Sequence, residues 1–139
     1  MEVEICSLPS LLSQSDLVSL HAGCHPDEGK LIGPSEIQMM KTGCRLVNTA
    51  RGYLVDEEAL WKALESGHCA AAALDVFQTE PYRGPLATLP NVLCTPHVST
   101  LTKASRAAME LRCAQNIIDF FAKGRMATAT ERGRGVSFS

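Results

Sequence analysis

The sequence predicts an α/β fold in which a doubly wound parallel sheet is flanked by helices. Short apolar runs alternate along the chain with stretches of helical periodicity, which is typical of successive strand–helix–strand units. The runs are almost continuously apolar, as strands are when helices cover both faces of a parallel sheet. Each run also ends in a cluster of polar or small residues, where a strand would lead into a loop.

The predicted elements alternate regularly. In chain order they are a strand at 17–20, a helix at 34–40, a strand at 45–48, a helix at 56–66, strands at 70–76 and 92–94, and a long helix after Leu101. The strands are the apolar runs. Pro34 favours the start of the first helix, because its fixed φ suits a first helical position.

The helix at 56–66 has signals at both of its ends. Asp56 is a suitable N-cap, and Glu57 and Glu58 place negative charge in the first turn, where the helix dipole favours it. Gly67 follows the last turn, at the position where a left-handed residue commonly ends a helix.

The last helix has one apolar stripe at 4,3,4,3 spacing, which predicts that this face packs into the core. The stripe consists of Ala107, Leu111, Ala114, Ile118 and Phe121. Residues 124–139 lack apolar periodicity and are rich in Thr, Ala, Gly, Arg and Ser. We therefore expect one domain at 1–123 and a disordered tail at 124–139.

The composition excludes several classes of partner. Of 139 residues, 45% are hydrophobic and 20% are charged, which is ordinary for one soluble domain. The net charge of -2 and the scattered Lys and Arg residues argue against nucleic acid. No apolar run approaches the length of a membrane span, and no secretory leader is recognisable. We expect a cytoplasmic protein.

The six cysteines are expected to be free thiols that pack as small hydrophobes, since no two of them form a C-x-x-C pair. Cys24 beside His25, and His68 beside Cys69, are weak candidates for metal ligands, because adjacent side chains rarely converge on one ion. No metal site is predicted.

Polar clusters follow four of the predicted strands. They lie at 21–23, 48–52, Asp75 and 95–100. Ligands of open parallel sheets bind outside the carboxyl ends of the strands, so these clusters would converge on one site. The alternative is that they are ordinary solvated loops, which are usually polar.

Three side chains near these clusters have suitable chemistry for a reaction on an acid substrate. Arg51 presents a planar fork that matches a carboxylate, His97 titrates near neutral pH, and Glu80 could orient and charge that histidine. Each also has a plain structural alternative: a surface cation for Arg51, a turn residue for His97 and a loop residue for Glu80.

The sequence motifs around these residues favour the functional interpretation. They are SDLVSLH at 15–21, LIG at 31–33, LVNTARG at 46–52, VDEEAL at 55–60, AALDVF at 72–77, EP at 80–81, PNV at 90–92 and TPH at 95–97. Over about residues 3–122 the chain resembles the D-isomer-specific 2-hydroxyacid dehydrogenases. The stretch YRGPL at 82–86 resembles the phosphoglycerate-dehydrogenase-like branch.

The resemblance implies an NAD-dependent oxidoreductase that acts on a small 2-hydroxy or 2-oxo acid, and a homodimer in the complete family protein. It implies that His97 is the general acid or base on the substrate hydroxyl and that Glu80 hydrogen-bonds it, favouring the imidazolium. Arg51 would hold the substrate carboxylate and carbonyl oxygen.

The resemblance also implies a set of residues that contact the nicotinamide half of NAD, with NADP not excluded. These are Ala22, Asn48, Thr49, Ala50, Arg51, Asp75, His97 and Thr100. Two positions depart from the family pattern. The stretch AGCHP at 22–26 replaces a Pro-Leu-Thr-Pro-like loop, and Ser99 stands where a glycine is frequent.

A larger departure concerns the phosphate-binding turn. No G-x-G-x-x-G follows a strand, and no acidic residue stands about 20 positions beyond such a turn. We therefore expect the carboxyl-terminal half of a Rossmann-like NAD-binding domain, without its first mononucleotide half and without a substrate domain. Such a chain would expose an apolar edge and be a poor or inactive enzyme by itself. The alternative is a non-catalytic remnant that serves as an interaction module with a full-length relative.

Overall fold

The computed structural model describes residues 3–23 and 29–123. In chain order the elements are α1 (Leu8–Gln14), β1 (Leu17–Leu20), α2 (Pro34–Met39), β2 (Cys44–Asn48), α3 (Glu57–Glu65), β3 (Cys69–Leu74), β4 (Val92–Cys94) and α4 (Lys103–Lys123), with 3₁₀ turns at Gly52–Leu54 and Pro85–Thr88. The chain divides into two compact units, Met1–Ser99 and Thr100–Ser139. The predicted domain at 1–123 spans both units and stays a prediction.

The first unit holds a four-stranded parallel sheet in the order β1-β2-β3-β4. The predicted α/β class and parallel sheet are confirmed, and β1 and β4 have the predicted bounds. The predictions do not include α1, which is short and buries only Leu12. Its sequence signal is Ser7, whose side chain caps the helix by accepting from the backbone N–H of Ser10.

One face of this sheet is buried, and the prediction that both faces are covered is wrong for the described residues. Val18, Leu46 and Ala72 are register partners on the buried face, each 5% exposed or less. On the opposite face, Leu17 and Leu93 are 53% and 65% exposed.

The strand order explains why only one face is covered. Crossovers between parallel strands are right-handed, so a sheet that grows in one direction receives all its crossovers on the same face. The described strands are ordered in this way, and α1 packs on α2, α2 on α3, and α3 on β3. Coverage of the second face requires a reversal in strand order, which apolar content alone does not reveal.

The buried layer between sheet and helices is aliphatic. Its fully buried side chains include Leu12, Ile32, Leu46, Leu54, Leu60 and Leu86. Asp56 caps α3 by accepting from the backbone N–H of Ala59 at 2.9 Å, and Gly67 follows the helix with a φ of 77°. Both end signals are therefore confirmed, and α2 begins at Pro34 as predicted.

The cysteines differ in burial. Cys44 and Cys69 are buried on neighbouring strands with their Sγ atoms 3.9 Å apart, as expected for thiols that pack as small hydrophobes. Burial raises the pKa of both thiols, that of Cys69 to about 12. Cys6 and Cys113 are exposed, so the expectation of burial is wrong for them.

The weak metal candidates find no support in the described residues. Cys24 and His25 lie outside the ranges that the structure describes. The imidazole of His68 lies 2.9 Å from the backbone carbonyl of Ile37, through Nε2. Within 3–23 and 29–123, no three His, Cys, Asp or Glu side chains are grouped closely enough to hold a metal ion.

The second unit contains α4, whose apolar stripe is exposed, so the predicted core burial of this stripe is wrong. Phe121, for example, is 82% exposed. Periodicity identifies an apolar face of a helix but not what covers it. Among the described helices, none is long and apolar enough to cross a membrane. The predicted tail at 124–139 lies outside the described residues.

Candidate active site

The candidate residues follow the carboxyl ends of parallel strands and therefore gather at one edge of the sheet. Ala22 follows β1, Arg51 follows β2, Glu80 follows β3 and His97 follows β4. The four loops are thus placed side by side in the order of the strands.

Glu80 and His97 form a direct pair. The Oε2 atom of Glu80 lies 2.9 Å from Nδ1 of His97, and both side chains are partly exposed. The other carboxylate oxygen, Oε1, accepts from the backbone N–H of Phe77 at 3.0 Å. The hydrogen bond to His97 and, after it, that from Phe77 lower the pKa of Glu80, so its carboxyl is ionised at neutral pH.

The backbone of His97 has an unusual conformation. Its φ is 54°, which lies in the left-handed region that residues with a Cβ atom rarely adopt. The surrounding loop is held by Asp75, directly after β3. The carboxylate accepts from Thr95 Oγ1 at 2.5 Å and from the backbone N–H groups of Val98 and Ser99 at 2.9 Å each.

Asp75 is 4% exposed, yet it is ionised. Burial alone would raise the pKa of its carboxyl, but the hydrogen bonds from Thr95, Val98 and Ser99 outweigh burial and hold the pKa well below its usual range. A buried anion is thus satisfied entirely by the loop that carries His97.

Arg51 lies on a loop that is held by Asn48, the last residue of β2. The buried Asn48 amide accepts from the backbone N–H of Ala50 at 3.1 Å and donates to the carbonyl of Arg51 at 2.9 Å. The guanidinium of Arg51 is exposed and donates to the carbonyl of Ala50 through Nη1 at 2.7 Å.

Gly52 brings the loops after β2 and β3 into contact. A Cβ atom at this position would lie 2.0 Å from the carbonyl carbon of Phe77 and 2.6 Å from the backbone nitrogen of Gln78. Only glycine permits this approach of two backbones. Gly52 was not predicted as a site residue, although a glycine directly after Arg51 is the available signal.

The candidate residues line two pockets. A pocket of about 480 Å³ contains Glu80 and His97, together with Phe77 and Tyr82, whose rings stack with centroids 4.2 Å apart. A second pocket, of about 460 Å³, is lined by His21, Ala22, Gly23, Thr49, Ala50, Arg51 and Tyr53. His21 and Tyr53 were not predicted as site residues.

The structure therefore brings part of the predicted set together. Ala22, Thr49, Ala50 and Arg51 share the second pocket, and Glu80 contacts His97 in the first. Asn48 and Asp75 are buried with their side chains bonded to the loops. Thr100 belongs to the second unit, so its place in the site stays a prediction.

Comparison with known proteins decides the family. Residues 1–99 match the model of the D-isomer specific 2-hydroxyacid dehydrogenase, NAD binding domain. The chain belongs to this family. It does so through the NAD-binding domain, as the motifs predict.

The relatives of this dehydrogenase-family chain are two to three times longer. It is 43% identical over 125 residues to a glyoxylate reductase of Aeropyrum pernix, with 88% of the chain and 37% of that protein covered. It is 39% identical over 132 residues to the D-3-phosphoglycerate dehydrogenase of Escherichia coli, with 91% and 32% covered. The chain thus spans less than half the length of these relatives.

A solved structure confirms the fold of this family member. The crystal structure of a glyoxylate reductase from Paecilomyes thermophila superimposes with a TM-score of 0.83 at 40% identity, covering 91% of this chain and 39% of the other. The Rossmann-like class predicted from the sequence is thereby confirmed for the region that the two share.

Proposed function

We propose that this chain carries the reaction centre of an NAD(P)-dependent oxidoreductase that acts on the CH–OH group of a small D-2-hydroxy acid. In the oxidation direction, the hydroxyl group loses a proton and C2 loses a hydride, which yields the 2-oxo acid. The family of the chain supports this reaction class.

The observation that carries the proposal is the pair formed by Glu80 and His97. When Glu80 accepts from the Nδ1–H of His97, the neutral ring keeps its lone pair on Nε2. Nε2 can then take the proton of a substrate hydroxyl, and the ionised Glu80 stabilises the imidazolium that forms. In the reduction direction the same atom returns the proton to the carbonyl oxygen.

Arg51 is proposed to hold the carboxylate of the substrate. One N–H of its guanidinium donates to the carbonyl of Ala50, and this hydrogen bond orients the group. The other N–H donors remain available for a ligand. A planar fork of donors matches a carboxylate better than a point charge does. The substrate would thus be oriented by its acid group, with its C2 oxygen presented to His97.

We assign the nicotinamide half of the cofactor to the second pocket. Its walls at Ala22, Gly23, Thr49 and Ala50 are small side chains, which leave room for a flat ring beside Arg51. NAD, when bound, accepts or gives the hydride. We propose Ala22, Thr49, Ala50 and Arg51, which line this pocket, as the contacts of this half. His97, which lines the first pocket, and Thr100 remain candidates.

Binding of the two half-ligands tests the proposal. We would titrate the ¹⁵N-labelled chain with nicotinamide mononucleotide and, separately, with pyruvate, and follow the amide shifts. The nucleotide should move Ala22, Thr49 and Ala50. Pyruvate should move the loop of Arg51, and Arg51→Lys should weaken it by roughly tenfold, because the fork is lost. Shifts confined to other surfaces would refute the proposal.

The second candidate function is an interaction module that pairs with a full-length relative. The exposed apolar face of the sheet, at Leu17 and Leu93, favours it. In this case, Leu93→Lys should abolish association measured by analytical ultracentrifugation, and Met39→Lys on α2 is the control on the covered side. A chain that stays monomeric alone and with a relative, yet binds the nucleotide, would exclude the module.

A further inference from the structure

We infer that Tyr82 is a positioning residue, which holds Glu80 in contact with His97 through an aromatic stack. The motivating observation is that two stacked rings flank Glu80 in the chain. The ring of Tyr82 lies on that of Phe77, with centroids 4.2 Å apart and planes inclined by 16°. Phe77 precedes Glu80 by three positions and Tyr82 follows it by two, so the stack closes the loop that carries the carboxylate.

Phe77 is the fixed end of this loop. Only 7% of the residue is exposed, and its backbone N–H donates to Oε1 of Glu80 at 3.0 Å. The next residue, Gln78, is bonded to two other parts of the fold. Its N–H donates to Oε1 of Glu57 at 2.7 Å, and its side chain donates to the carbonyl of Val55 at 2.8 Å. One oxygen of Glu80 is therefore held by an anchored stretch of backbone.

Tyr82 is anchored at its far end as well as through its ring. The Oη atom accepts from the backbone N–H of Leu86 at 3.3 Å, and Leu86 is fully buried. Burial raises the pKa of Tyr82, so the phenol is neutral. Tyr82 therefore acts through the shape of its ring and its hydroxyl, and not through charge.

Gly84 leaves the space that the ring of Tyr82 occupies. Its φ is -86°, which any residue can adopt, so the backbone itself does not require glycine. A Cβ atom at this position would lie 2.8 Å from Cε2 of Tyr82 and closer still to the hydroxyl end of the ring. A larger residue at position 84 would therefore displace the phenol from the place where it stacks.

The stack restricts where the carboxylate of Glu80 can go. With both ends of the loop fixed, Oε1 lies on the N–H of Phe77 and Oε2 lies 2.9 Å from Nδ1 of His97. Release of Tyr82 would give the loop other conformations, in which these hydrogen bonds are lost. The inference rests on the proposed role of the Glu80–His97 pair, but its test measures this pair directly and needs no ligand.

The first test compares Tyr82→Ala with Tyr82→Phe in the ¹³C,¹⁵N-labelled 139-residue chain. Alanine removes the ring, whereas phenylalanine keeps the stack and loses only the hydroxyl. Tyr82→Ala should raise the pKa of Glu80 toward its ordinary value in a ¹³C carboxyl titration, because the hydrogen bonds from His97 and Phe77 weaken. Amide exchange at Phe77 should become about tenfold faster, as the loss of one aromatic pair allows. Tyr82→Phe should leave both near wild type.

The direction of the pKa change separates positioning from simple exposure. Tyr82 and Glu80 line the same pocket, and burial raises the pKa of Glu80. Removal of the ring would therefore lower that pKa if it only admitted water, whereas loss of positioning raises it. The neutral ring of His97 reports the same event. Its ¹⁵N shifts should show the Nδ1–H tautomer in wild type and a smaller share of it in Tyr82→Ala.

Gly84→Ala opens the same stack without altering either ring. The new methyl group displaces the phenol of Tyr82, so the pKa of Glu80 should rise again. Ring-current shifts of Phe77 establish that the stack has opened. Gly23→Ala is the matched control, because its methyl group would meet no atom within 4 Å.

Three results would overturn the inference. One is a pKa of Glu80 that stays constant or falls in a folded Tyr82→Ala chain. Another is a rise in Tyr82→Phe as large as that in Tyr82→Ala, since the stack would then have no part in it. The third is a Gly84→Ala chain whose stack has opened while the pKa of Glu80 stays at its wild-type value. Circular dichroism establishes that each variant is folded, and if Tyr82→Ala unfolds, Gly84→Ala decides.

Discussion

The proposed reacting side chains and the buried polar side chains differ in exposure at the scale of single residues. Arg51, Glu80 and His97 are all at least partly exposed, as groups that meet a ligand must be. Within the described residues the buried polar side chains are Asn48 and Asp75. Each is hydrogen-bonded to a loop that carries a proposed reacting residue. Because a buried polar group is costly without a partner, these bonds also hold the loop in place.

His97→Asn should raise the pKa of Glu80. Asparagine tolerates the left-handed backbone but is too short to replace Nδ1, so the largest influence that lowers this pKa is lost. The pKa should stay below its ordinary value, because the N–H of Phe77 remains bonded to Oε1. A ¹³C carboxyl titration measures the shift. His21→Asn, in the other pocket, is the matched control.

The lowered pKa of Glu80 makes the stability of the folded chain depend on pH. A lowered pKa in the folded chain stabilises the chain above the unfolded pKa of about 4.3, and this contribution is lost as pH falls through the folded value. His97→Asn should therefore be less stable than wild type at neutral pH, and the difference should shrink below pH of about 4. A difference that grows on acidification would contradict the assignment.

Candidate reacting residues are easier to predict from the sequence than the residues that support them. Arg51, Glu80 and His97 stand out by their chemistry, and the predicted contact between Glu80 and His97 is present. Their functional roles stay predictions. The support of the His97 loop by Asp75 depends on a carboxylate and two backbone N–H groups that are 23 and 24 positions away, and no local pattern encodes that meeting.

At the scale of elements, local signals predicted the position of each strand but not what covers it. The apolar runs of the strands and the end signals of α3 are local features of the sequence. The bounds of β1 and β4 and the cap at Asp56 could therefore be predicted from it. The number of covered faces depends on strand order, which is a property of the whole sheet. The same limit applies to the apolar stripe of α4.

Gly52→Ala tests the contact between the loops after β2 and β3. The new methyl group would meet the backbone of Phe77, which cannot yield as a flexible side chain does. We expect destabilisation of at least about 2 kcal/mol in thermal unfolding, at the upper part of the range for overpacking. The matched control is Gly23→Ala, where no atom lies within 4 Å of the new methyl group. Equal melting temperatures for both variants would contradict the close approach.

At the scale of the whole molecule, the chain has the candidate residues of a reaction centre, but its sequence has no recognisable phosphate-binding turn. A G-x-G-x-x-G turn at a helix N-terminus is what normally holds the pyrophosphate of NAD. No such turn follows a strand in the sequence. We therefore expect that residues 1–139 bind only the nicotinamide half of the cofactor and have little turnover by themselves.

Calorimetry with NAD and with nicotinamide mononucleotide tests this expectation. The affinity of the 139-residue chain for NAD should equal that for nicotinamide mononucleotide within about threefold, because the adenosine half finds no partner. NAD binding that is more than about tenfold tighter would reveal a second half-site within these residues. Steady oxidation of NADH by glyoxylate or hydroxypyruvate would likewise contradict the expectation.

The one-way order of the four strands has a consequence for how the two parts of the reaction meet. The loops after β1 and β2 line the pocket proposed for nicotinamide, while the loops after β3 and β4 hold Glu80 and His97. Hydride and proton would therefore approach the same carbon–oxygen bond from opposite flanks of the sheet edge. Gly52, where the loop after β2 meets the loop after β3, would then influence the distance between the proposed hydride and proton sites.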